Sequence, residues 1–184
     1  MYAQEMVKQS LPLMILCGLG AIVAGSTLGI MIDLLQDIPG LIVIIPAIIA
    51  MRGNISTAFG SRLGSAYHLG IINADNLWNE DLKQNIIGNL LLSFIMSFII
   101  GILAYITSVL MGIYPNLIHI LLIVIFSGFI STIILTFLTI LIIYLVFKRG
   151  YDPDNITGPA LATFGDIVTM LCILSSAVFV KVML

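Results

Sequence analysis

Asp166 is a lone carboxylate in an apolar stretch, Gly158 to Leu184, whose only other charged residue is Lys181. At about 1.5 Å per residue it lies roughly 12 Å along a helix begun at Gly158. That is near the middle of a hydrocarbon layer about 30 Å thick. An acid at that depth costs about 2.5–3.5 kcal/mol to insert, so it must face water, a cation, a proton path or a buried partner. Thr163 stands three residues before it, and Asp152 and Asp154 flank Pro153 ahead of the stretch. In a second apolar stretch Pro46 is followed by Gly53, Asn54, Ser56 and Thr57. Carboxylate, carbonyl, amide and hydroxyl oxygens bind hard cations. No Cys or His lies beside Asp166, which argues against zinc or copper.

The elements that carry these residues are membrane helices. Of the 184 residues, 60% are hydrophobic and 9% charged, with a mean hydropathy of +1.20. Soluble domains carry about 25% charged residues, so the expected class is an all-α integral membrane protein forming one domain over 1–184. No Asp, Glu, Lys or Arg occurs from Gln84 to Phe147. The net charge of −2 says little about partners; membrane lipid is the expected surroundings, and no nucleic acid is expected. No cleavable signal peptide is evident at the N-terminus. Cys17 and Cys172 fall in apolar segments and read as small buried hydrophobes.

Five transmembrane helices are expected. The first runs from about Leu11 to Leu35 and is rich in glycine, with Gly25 and Gly29 spaced for close helix contact. The second, about Ile38 to Gly70, is expected to be interrupted at Pro46 and at Arg52-Gly53-Asn54. A break there would expose carbonyls, tolerated at depth only against a cavity or within protein. The plainer alternative is a kinked helix with Arg52 snorkelling to an interface. The third and fourth, about Ile86 to Met111 and Leu117 to Phe147, form a hairpin around Gly112 to Asn116. The fifth begins near Thr157 as N-cap, with Pro159 in its first turn. Asp152 and Asp154 would offset the helix dipole and draw cations to its mouth.

The second and fifth segments together resemble the membrane domain of the MgtE-type magnesium channels and of the related animal magnesium solute carriers. The motif residues here are Pro46 and Met51-Arg52-Gly53-Asn54, then Asp152-Pro153, Gly158-Pro159 and Asp166. Arg52 and Ser61-Arg62-Leu63 look more like the solute-carrier branch. The resemblance implies transport of a divalent cation, magnesium, through a pore at a homodimer interface. It implies Asp166 as the main cation-site carboxylate and Gly53-Asn54 in the pore wall. Asp152, Asp154, Thr163, Ser56 and Thr57 are the accompanying oxygen donors. Arg52 departs from the small neutral residue of the bacterial channels, and the cytoplasmic regulatory domains of those channels are expected to be absent.

A sodium- or proton-coupled exchanger using Asp166 as its coupling acid is the other transport reading. An enzyme is not expected, because paired-aspartate chemistry needs two acids sharing a proton. Asp152 and Asp166 are fourteen residues apart, with Asp152 ahead of the helix. The cations Lys8, Lys83, Lys148 and Arg149 gather on one side and only Lys181 on the other. The positive-inside rule then sets the N-terminus in the cytoplasm and the C-terminus outside a multi-pass cell-membrane protein. Reporter fusions at Met1 and Leu184 are expected to report opposite sides; a shared side would exclude five crossings.

Overall fold

In the computed structural model the described residues are 2–72, 78–148 and 153–183, and among them the only regular structure is helical. Six helices follow one another: α1 (Tyr2–Ile30), α2 (Ile32–Asp37), α3 (Leu41–His68), α4 (Glu80–Leu110), α5 (Leu117–Lys148) and α6 (Pro153–Met183). Four spans within α3, α4, α5 and α6 are long and apolar enough to cross a membrane, and the apolar part of α1, Met14–Ile30, is shorter. The expected first segment is therefore split at Met31, a fully buried residue. Its two parts still accompany α6. Cys17 meets Pro159, Gly20 leaves room only for Thr163, and Asp37 pairs with Lys181. The near-constant offset means that α1 and α2 run parallel to α6 from Pro159 to Lys181.

Two expectations about helix ends and breaks are corrected. The second segment is not interrupted: α3 is one helix through both Pro46 and Gly53. Proline removes a single main-chain donor, and in an apolar setting every other backbone group is best satisfied inside the helix. Likewise α6 starts at Pro153, so Thr157 is not its cap and Pro159 is internal. Pro153 at the first helical position forfeits no helical bond, which favours the earlier start. At α4 the chain begins earlier than expected for a related reason. Asn79 accepts from the Leu82 amide at 2.9 Å, and Glu80 and Asp81 occupy the first turn.

Inside and outside are reversed relative to a soluble protein. Large apolar side chains such as Leu91, Ile95, Leu103 and Phe137 are exposed, while Ser93, Ser97, Ser131, Thr132 and Thr139 are buried. Small residues let the backbones approach without lipid between them. On α4 the row Asn89, Ser93, Ser97, Gly101, Ala104, Ser108 is buried. It meets α5 through Asn89 Nδ2 to Thr136 Oγ1 at 2.9 Å and Ser93 to Thr132 at 2.7 Å. Main-chain turns close one end: Gly40, at φ +84°, has Ser108 and Pro115 3.0 and 3.3 Å from where a Cβ would stand. An apolar core of Ile44, Ile48, Ile120, Ile123 and Ile173 binds α3, α5 and α6 together.

The α4–α5 seam makes a stability prediction. A side chain at Gly128 would run into Ser97 Oγ, whereas a Cβ at Gly18 meets nothing within 4 Å. Gly128→Leu is expected to lower stability by at least about 1–3 kcal/mol, read by thermal unfolding in detergent. Gly18→Leu is expected to stay within about 0.5 kcal/mol.

Candidate cation site

Arg52 organises the centre of the molecule. It is 0% exposed, and its guanidinium lies against Gly165 of α6, where a Cβ would overlap Nη2. Nη1 donates to Ser56 Oγ at 3.2 Å, one turn on along α3. Nε and Nη2 are buried with no hydrogen-bond partner. The expected alternative of an arginine snorkelling to an interface is therefore corrected. Arg52 is the twelfth residue of α3, turned inward, on the same face as the part-buried or buried Ile45, Ile49 and Ser56.

Asp166, next to Gly165, is half-buried and borders a cavity of about 220 Å³. The other walls are apolar: Ala21, Ala24, Gly25 and Leu28 from α1, Ile45 and Ile49 from α3, and Met170 from α6. Arg52 and Asp166 act on one another electrostatically, yet they form no ion pair within 4 Å. Among the described residues no group of three or more His, Cys, Asp or Glu converges to hold a metal. A single chain thus brings one carboxylate residue to the cavity. The cavity is open on one side and apolar apart from Asp166, so an ion held there would have to keep much of its water, as magnesium does.

The remaining candidates divide into two sets. Ser56 is buried on the Arg52 face and is engaged by that arginine. Thr163 donates to the Pro159 carbonyl at 3.1 Å and meets Gly20, so it joins α6 to α1. Asn54 and Thr57 are exposed on the far side of α3, and Thr57 donates to the Gly53 carbonyl at 2.7 Å. The structure does not bring Asn54 or Thr57 to Asp166 within one chain. Asp154 lies in the first turn of α6, and Asp152 falls outside the described residues. Asp33 and Asp37 sit on α2 at the opposite end from the start of α6.

Sequence reading missed a stripe. Ala50, Asn54, Thr57, Ser61 and Ser65 are all exposed, at spacings of three or four residues in a membrane-length helix. Their helical periodicity was the available signal. The ridge Ile45, Ile49, Gly53, Thr57, Ser61, at intervals of four, begins at the Asp166 cavity and turns onto this stripe. Gly53 is its joint: a Cβ there would meet nothing within 4 Å.

The MgtE family, described as divalent cation transporters, matches residues 45–176, which hold α4, α5 and most of α3 and α6. The chain belongs to the MgtE family. This is a family of membrane transporters and not of enzymes. The MgtE chain is 29% identical over 175 residues to solute carrier family 41 member 2 of Gallus gallus and 28% identical to that of Homo sapiens. Both matches cover 90% of this chain and 30% of the relative. Solute carrier family 41 member 3 of Rattus norvegicus is 25% identical over 173 residues, covering 88% of this chain and 37% of the relative. The MgtE chain therefore spans about a third of the length of these curated relatives.

The fit of Arg52 against Gly165 generates a test. Gly165→Ala is expected to cost about 1–3 kcal/mol by overpacking. In an Arg52→Gln background the same change is expected to cost less, because the shorter side chain leaves room. Unfolding of the four proteins of this double-mutant cycle in detergent measures the difference.

Proposed function

We propose that this chain moves a divalent cation, magnesium, across the cell membrane, with Asp166 as the carboxylate that meets the ion at mid-membrane. The observation that carries the reading is the position of Asp166: one acid, half-buried, at an open cavity of about 220 Å³, inside a membrane-length helix. Membership of a divalent cation transporter family supports the same cargo.

One chain does not complete the site. Two carboxylate oxygens fall short of the six ligands of magnesium, and the other cavity walls are apolar. In this reading a second copy supplies the missing wall. Two such copies would set like-charged acids near one another, a repulsion that a bound cation relieves. The exposed stripe of Asn54, Thr57, Ser61 and Ser65 then faces water or the second copy instead of lipid, and Gly53 joins it to the Asp166 cavity. Asp152 and Asp154 gather cations at the end of α6 where the positive-inside rule puts the cytoplasm.

A coupled exchanger is favoured over an open channel by one observation. Arg52 keeps a positive charge beside the acid, buried and with two free donors. A carrier must be stable with its site empty, and such a charge serves that state.

Magnesium uptake into vesicles at matched protein density tests the reading. Asp166→Asn is expected to lower uptake by well over tenfold, through loss of charge in a low-dielectric site. Asp152→Asn is expected to do less, being screened by salt, and Asn54→Ala to fall between. Undiminished uptake by Asp166→Asn would refute the cation-site role.

A further inference from the structure

Arg52 is a charge without a partner. Its side chain is 0% exposed, and of its three nitrogens only Nη1 has an acceptor, the neutral Ser56 hydroxyl. Leaving a buried charge unpaired is costly. The Cys172 thiol of α6 also acts on the guanidinium electrostatically, and neither Nε nor Nη2 donates to it. The Gly165 carbonyl accepts from Thr169 Oγ1 at 2.6 Å, and Ser97 and Met51 are turned to one another on another face of α3. The anion next to the guanidinium is Asp166, one residue beyond the Gly165 surface on which Arg52 rests. No ion pair joins them. Gly165 has no side chain to hold the guanidinium away from α6.

We propose that Arg52 is the built-in counter-ion of Asp166: its free Nε and Nη2 donors take the carboxylate when no metal ion is bound and give it up when one binds. This rests on the reading of Asp166 as the cation-site acid. Charge arithmetic gives the consequence. In the two-copy site, two Arg52–Asp166 pairs are neutral when empty, and a bound divalent ion raises the local charge to +2. Without the two arginines the empty site carries −2 and the loaded one is neutral. The guanidinium therefore stabilises the empty state and weakens ion binding, which speeds release. Arg52 acts through Asp166 and is a positioning residue. It differs from a structural arginine in the sign of its effect: a strut, when removed, weakens binding, whereas a competing counter-ion, when removed, tightens it.

The test uses the full chain in detergent and in vesicles, with Mg2+ itself as the probe. Calorimetric titration is expected to give Arg52→Gln an affinity for Mg2+ at least about tenfold above the parent, the scale of removing one charge at short range in a protein interior. Its maximal uptake rate in vesicles is expected to fall. Arg52→Lys, which keeps the charge, is expected to lie much closer to the parent in both. Arg52→Met, similar in length and uncharged, reads the same quantity if Arg52→Gln is not recovered as folded protein. An uncharged variant that binds Mg2+ no more tightly than the parent overturns the proposal. Asp166→Asn is titrated beside them. If it binds Mg2+ like the parent, the cation-site reading itself fails; if it loses binding while the Arg52 variants show no tightening, only the counter-ion role fails.

Discussion

A positive charge with no exposed surface, resting on a glycine of the neighbouring helix and one residue from the carboxylate of that helix, is the constraint on which this molecule turns. Arg52 and Asp166 are each costly in hydrocarbon. Together they require that α3 and α6 be adjacent, in one register, with Gly165 at the contact. Much of the surrounding architecture holds that register. Gly20 admits Thr163 so that α1 can lie along α6, and Asp37 pairs with Lys181 at the far end. The serine and threonine seam between α4 and α5 completes the bundle behind α3 without drawing on either charge.

The arrangement separates two surfaces that one linear motif had run together. Residues 53 to 57 are adjacent in sequence, but at about 100° per residue they wrap around a helix. Ser56 turns inward to Arg52, while Asn54 and Thr57 turn outward. Gly53 lies between the cavity of Asp166 and the outward polar stripe, with open space where a side chain would be. In the proposed reading an ion leaving the carboxylate meets that bare stretch of α3 and then amide and hydroxyl groups, which the Leu- and Ile-rich outer face of α4 lacks.

The helices themselves were legible because a run without charge from Gln84 to Phe147 has one physical outcome in a bilayer. The hairpin at Gly112 to Asn116 was legible from turn residues; Gly112 takes φ +79° and Asn116 caps the Ile118 amide at 2.9 Å. The mid-membrane depth expected for Asp166 was counted from Gly158, whereas α6 begins five residues earlier, at Pro153. The expected break at Pro46 and Gly53 failed because helix propensities measured in water overstate the weakness of these residues where water cannot compete for the backbone. The burial of Arg52 was missed for a different reason. Its inward direction depends on which face of α3 meets α6, and that is set by Gly165, more than a hundred residues away. The period of Ile45, Ile49, Arg52 and Ser56 was present in the sequence, but an arginine on that face reads as an error until its neighbour is known.

The most direct test of the account is the location of the ion. Mn2+ can stand in for magnesium at oxygen sites and scatters anomalously, so crystals of the full chain grown with Mn2+ report the metal position without relying on transport. The account predicts an anomalous peak within direct or one-water reach of the Asp166 carboxylate, in the cavity bordered by Ala21, Ile49 and Met170. Peaks confined to Asp33 and Asp37 at the far end of the bundle, with none beside Asp166, would contradict it.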